Sequence, residues 1–177
     1  MARTKRIGSF GLLLLVLLGG VGAKEKGEVA PPKVTGPQEV EIVGIVVEPQ
    51  SGQPLVVLQG KRDKRSVAMV IGHAEANGIA IPLRGITPPR PLTHDLFLTL
   101  FGRLKVTLTR VVITDLRDDI YYATLYLNAG GTEMTLDSRP SDAIALAIRA
   151  KVPVLVEDRV FDKGGISPQP PGATPHF

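Results

Sequence analysis

The stretch Asp137-Ser138-Arg139-Pro140-Ser141-Asp142-Ala143-Ile144-Ala145-Leu146-Ala147-Ile148-Arg149 decides how this chain is read. Two carboxylates, an arginine and two hydroxyls precede an apolar, helix-forming run. A helix N-terminus leaves backbone N–H groups unpaired and carries partial positive charge, so it suits Asp and Ser and also an anion such as phosphate. Two readings follow. In one, Ser138 or Ser141 caps the helix, Pro140 sits in its first turn and Asp142 complements its dipole. In the other, Asp137 and Asp142 hold a divalent cation while Arg139 steadies a phosphate. The spacing alone is fully explained by the cap.

Working outward, Pro140 to Lys151 is the strongest helix of the chain and Val152 to Val156 a short strand. Upstream, Arg103 to Thr114 alternates apolar and polar residues, Asp115 to Asp119 reads as a hairpin loop, and Ile120 to Leu127 returns. Ala129-Gly130-Gly131 turns into Thr132 to Leu136. Three further strands are expected at Glu39 to Glu48, Leu55 to Leu58 and Ser66 to Ile71. His73 to Ile81 forms a helix weakened by Asn77-Gly78 and ended by Pro82. Leu92 to Phe101 forms another, capped by Thr93 and stopped by Gly102. Val160 to Lys163 is a last helical turn. Strand hairpins with interspersed helices predict a single α+β domain over 38–166, built on a mixed, largely antiparallel sheet with packed helices.

The flanks differ in kind. Arg3, Lys5 and Arg6, the apolar run Phe10 to Leu18 and the small residues Val21-Gly22-Ala23 read as a signal peptide over 1–23, with an uncleaved anchor as the alternative. The mature protein is then expected in a periplasm, with no membrane span after cleavage. Residues 24–37 read as a linker and 167–177 as a disordered Pro-rich tail. Charge supports this division. The chain has 21 basic and 17 acidic residues, but Arg3, Lys5, Arg6, Lys24, Lys26 and Lys33, set against Glu25 and Glu28, carry the whole excess. The domain itself is neutral, so the high pI is no argument for nucleic acid. Cysteine is absent, which excludes disulfides, a thiolate nucleophile and thiolate metal sites.

A second chemical cluster is Arg90-Pro91-Leu92-Thr93-His94-Asp95-Leu96. A histidine beside a carboxylate can serve as general base or metal ligand, although adjacent helical residues do not face each other. Lys61-Arg62-Asp63-Lys64-Arg65 reads as a solvated hairpin tip or a phosphate-binding patch. Tyr122, Thr124 and Tyr126 share one face of a strand, where packing explains them better than base stacking.

Four blocks resemble the bifunctional nuclease (BFN) domain. They are Ile71-Gly72 with Glu75-Ala76 and Ile79; Pro89-Arg90-Pro91-Leu92-Thr93-His94-Asp95-Leu96; Val111-Val112-Ile113-Thr114-Asp115-Leu116 with Tyr122-Ala123; and Asp137 onward to Pro153. The first block departs from the family's alanine-rich helix at Asn77-Gly78 and Pro82. The resemblance implies an oligomeric α+β domain, a homo-oligomer, with nuclease activity on RNA and DNA. It makes a metal-assisted phosphodiesterase the leading expectation. His94, Asp95 and Asp142 are the expected catalytic residues, and Arg90, Arg139 and Ser141 the substrate-binding ones. Asp95, Asp137 and Asp142 would hold Mg2+ or Mn2+, and nucleic acid would be the partner. The competing expectations are a non-catalytic oligomerisation domain of the envelope and a small-anion-binding regulatory domain.

Overall fold

Alternating Val, Leu and Ile in the β-rich runs puts one face of each strand in the core, and the structure closes that face with helices. The computed structural model describes residues 35–166. The expected signal peptide, most of the expected linker and the expected tail lie outside the described residues. Chain order is β1 (Gln38–Val47), β2 (Pro54–Gly60), β3 (Ser66–Val70), α1 (His73–Leu83), α2 (Thr93–Arg103), β4 (Val106–Arg117), β5 (Ile120–Ala129), β6 (Thr132–Ser138), α3 (Pro140–Ala150), β7 (Val154–Val156), α4 (Asp158–Gly164) and β8 (Gly165–Ile166). The strands form one 8-stranded sheet in the order β6-β5-β4-β7-β1-β2-β3-β8. Every pairing is antiparallel except β4 with β7. The α+β fold with a mixed, largely antiparallel sheet is therefore present.

α3 organises the interior. Pro140, Ser141 and Ala143 through Ala147 are all buried, so its first two turns are apolar on nearly every side. Its small alanines let α1 approach closely, while α2 lies further out and buries none of its residues completely. Ile144, Ile79, Leu58 and Ile113 are fully enclosed in the shared core.

Several boundaries differ from expectation for local reasons. The β4–β5 hairpin turns on two residues, Asp118 and Asp119, both at positive φ (48 and 60). Aspartate tolerates that conformation, and a two-residue turn of this kind matches strand twist. Asp115 to Arg117, expected in a loop, therefore pair with Ile120 to Tyr122 as strand. Arg103, expected to start that strand, closes α2 instead; Gly102 lies inside the helix, and the reversal comes at Lys105, φ 58. Thr93 is the first helical residue and no cap, because Leu92 holds the capping position. Neither Ser138 nor Ser141 caps α3; the capping position is Arg139, with Pro140 opening the helix.

Pro82 does not end α1, which continues to Leu83. A proline inside a helix lacks the N–H that would bond the carbonyl four residues back, here Gly78. That carbonyl accepts from Arg149 Nη1 at 2.6 Å instead. The basic hairpin tip is likewise explained by partners: Lys61 pairs with Glu39, Arg62 with Asp158, and Arg65 with Asp63, Asp158 and Asp162. Tyr126 and Tyr122 are not core residues. Arg110 lies over the Tyr126 ring at 3.7 Å and Arg117 over Tyr122 at 4.0 Å.

Candidate active site at the α1, α2 and α3 junction

The two chemical segments, 48 residues apart, meet in space. His94, in the first turn of α2, places Nε2 at 3.3 Å from Asp142 Oδ1 in the first turn of α3. Arg139 reaches across its own helix start to Asp142, with Nε at 2.7 Å from Oδ2 and Nη2 at 3.2 Å from Oδ1. Its Nη1 is 3.0 Å from Glu75 Oε1 on α1. Asp142 thus serves a histidine and an arginine rather than the helix backbone. Burial pushes its carboxyl up, but the hydrogen bonds and charge of Arg139, joined by His94, outweigh this and hold it below the usual aspartate range. Asp142 in turn holds the Arg139 guanidinium above its ordinary value. It is an anion at neutral pH, positioned to orient an imidazole.

The histidine is seated by a glycine. A Cβ built on Gly78 of α1 would stand 3.0 Å from His94 Cε1 and 3.4 Å from Nδ1. The glycine that weakens α1 as a helix is the space into which the imidazole packs.

Beneath this layer, Arg149 ties the three helices. It is 7% exposed; Nε donates to Asp95 Oδ1 at 2.8 Å, and Nη1 donates to Gly78 O and to Ala145 O at 2.9 Å. Asp95 Oδ2 accepts from the Leu92 N–H at 2.7 Å. Burial raises the Asp95 carboxyl, but Leu92, Arg149 and His94 hold it low. Each Asp95 oxygen thus accepts one hydrogen bond that holds α2 in place, one from its own helix start and one from α3.

Two clefts open on this centre. One, of about 720 Å³, runs between α1 and α2 past Glu75, Asn77, Gly78 and Leu92. The other, of about 510 Å³, lies between α2 and β6 and is lined by Phe97, Leu125, Leu136 and Leu146, with Asp137 and Ser138. Thr93, His94, Arg139 and Asp142 line both. Of the expected substrate-binding residues, Arg139 is at the centre. Arg90 is exposed and lines neither cleft, and Ser141 is buried, 7% exposed, and lines neither. Asp137 stands in the second cleft, apart from Asp95 and its clamp. Among the described residues no three Asp, Glu, His or Cys side chains converge as a metal-binding group. The expected Asp95–Asp137–Asp142 cation set is therefore not assembled. At this centre two carboxylates, Glu75 and Asp142, share one cation, the Arg139 guanidinium. Glu75, Gly78 and Arg149 had no site role in the sequence reading, although Glu75 and Gly72 stand in its first block.

The model of the bifunctional nuclease domain matches residues 56–169, from β2 to past β8. The chain belongs to the bifunctional nuclease domain family. An uncharacterized protein of Mycobacterium tuberculosis (strain ATCC 25618 / H37Rv) is 39% identical over 128 residues, which cover 72% of this chain and 76% of that protein. Bifunctional nuclease 1 of Oryza sativa subsp. japonica is 38% identical over 87 residues, 48% of this chain and 26% of the rice protein. Bifunctional nuclease 2 of Arabidopsis thaliana is 27% identical over 131 residues, 60% of this chain and 40% of its own length. This chain thus spans less than half of either plant nuclease. All the residues of the centre, from Glu75 to Arg149, fall inside the segment matched to the nuclease domain. No helix among the described residues is long and apolar enough to cross a membrane.

Proposed function

We propose that the chain is a phosphodiesterase acting on nucleic acid, with its chemistry at His94, Asp142 and Arg139. The observation that carries this reading is the contact of His94 with Asp142 at the meeting point of two clefts. With Asp142 accepting from Nε2–H, the other ring nitrogen of His94 keeps its lone pair. That nitrogen takes a proton from an attacking water. The water oxygen bonds to phosphorus, and the ester oxygen leaves with the proton that His94 returns. Arg139 offsets phosphate charge; three of its N–H contacts are spent on Glu75 and Asp142, which leaves donors for a phosphate oxygen. Asp95 and Arg149 hold α2 and α3 in place and take no part in proton transfer.

Purified protein should cleave single-stranded RNA or DNA. His94→Ala and Asp142→Asn should each lower the rate by about 10²–10⁴, the range for loss of positioned acid–base catalysis. The assay is run with and without Mg2+ and Mn2+. A requirement for either supports the metal-assisted form of the reaction; full activity without one leaves proton transfer to His94.

The reading includes self-association and export. Leu96 and Leu100 on α2, with Leu104 just past its end, form a stripe that is 57%, 53% and 63% exposed, and apolar area of this kind is commonly covered by a second copy. Light scattering tests it: a monomer at micromolar concentration would dismiss the homo-oligomer. This stripe also favours the non-catalytic reading, in which the domain only assembles; that reading fails if His94→Ala abolishes cleavage and leaves assembly intact. Export to a periplasm rests on the first 23 residues, and mass spectrometry of the mature protein would show cleavage near Lys24.

A further inference from the structure

We infer that the apolar cleft between α2 and β6 is a nucleobase subsite, so that the ligand is an internal phosphodiester of a single strand bound across both clefts. This deepens the nuclease reading and rests on it. Arg139 lines both clefts, so an anion bound there has open space on two sides. A phosphodiester is the phosphate that carries a substituent on each side; a monoester would leave one cleft empty.

The two spaces differ in character. The first sets Glu75 and Asn77 among Ile81, Leu92 and Leu96 and is the more polar of the two, so the sugar-phosphate run is assigned to it. The second offers Phe97, Leu125, Leu136 and Leu146 within a few residues of Arg139 and His94. A nucleobase is a flat group with apolar faces, and stacking on an aromatic ring is the general way proteins hold an unpaired base. Phe97 is prepared for this. The residue is 45% exposed, and its ring is braced edge-on by Phe101, with centroids 6.1 Å apart and planes at 83°. Phe101 packs against the core, so Phe97 presents a fixed face. Leu136, 45% exposed on edge strand β6, lines the same cleft. About 510 Å³ lies within the usual range of small-ligand sites, roughly 300–1,000 Å³. A base can enter only when it is unstacked and unpaired, so single strands are bound in preference to duplex.

The test uses the full chain and a fluorescent single-stranded octamer made with nuclease-resistant phosphorothioate linkages. Its Kd is read by anisotropy, in parallel with cleavage of the unmodified octamer. Phe97→Ala and Leu136→Ala should each weaken binding about tenfold, and Phe97→Tyr should retain it, since the ring face is kept. A matched duplex should bind more weakly than the single strand. Unchanged Kd in both alanine variants overturns the subsite, and cleavage by the wild type would then leave the nuclease reading standing. Phe97-dependent binding without any cleavage supports the subsite and removes the nuclease reading. If Phe97→Ala dissolves an oligomer and leaves Kd unchanged, the face belongs to a second copy and the inference is overturned.

Discussion

At the scale of single residues, the features that look like flaws in the sequence are the ones the site uses. Gly78 and Pro82 both argue against a stable α1 when read locally. In the structure Gly78 admits the His94 ring, and Pro82 frees the carbonyl that Arg149 takes. Gly78→Ala should therefore strengthen the helix but push the imidazole off Asp142. A displacement of the order of 1 Å can cost about 10²-fold in rate, and cleavage kinetics on a folded variant would show it. Arg149 is the opposite case. Its removal leaves Asp95, Gly78 O and Ala145 O without their shared donor. Breaking a buried ion pair costs about 3–5 kcal/mol; with Asp95 one-third exposed, about 2–3 kcal/mol is expected for Arg149→Ala in urea unfolding. The sequence announced His94, Asp142 and Arg139, because their types are unusual at helix starts. It did not announce Arg149, which reads as an ordinary basic residue in the last turn of α3, nor Glu75, whose partner lies 64 residues further on.

At the scale of elements, periodicity and turn residues made nearly every strand and helix visible, while ends were set by backbone geometry that periodicity does not carry. α3 ends at Lys151, which adopts the left-handed conformation, φ 57 and ψ 40. A side chain there costs roughly 1 kcal/mol that glycine does not. Lys151→Gly should raise stability by about that amount with cleavage unchanged, as Lys151 touches neither cleft. β6 was expected to stop at Leu136 and runs to Ser138, because Asp137 and Ser138 still pair with Thr124 and Ala123. That extension carries Asp137 into the wall of the second cleft. β8, two residues pairing with Ser66 and Val67, has no periodicity by which to be seen.

At the scale of the whole molecule, the centre exists because α1, α2 and α3 converge over one sheet, a convergence that no local pattern encodes. The α+β class followed from the order of elements, and the meeting of His94 with Asp142 from the tertiary fold alone. Carboxylates tie distant elements together throughout: Asp95 to α3, Asp142 to α2, Asp63 to Gln38 of β1 and Asp158 to Arg65. Burial raises each of these four, yet their partners hold all four below the ordinary aspartate value. The folded protein therefore binds fewer protons than the unfolded chain as pH falls, and the stability they contribute is complete above about pH 4 and lost as pH drops through the folded values. The urea midpoint should be flat from pH 7 to about 5 and fall steeply below 4. A midpoint unchanged at pH 3 would remove this network from the account.

The central claim is that the His94–Asp142 contact is the seat of phosphodiester cleavage. Its most direct test is the cleavage rate of a single-stranded oligonucleotide by the purified wild type, His94→Ala and Asp142→Asn, each shown by thermal unfolding to be folded. The account predicts cleavage by the wild type and a loss of at least about 10² in both variants. Wild-type rates surviving in both folded variants would contradict it.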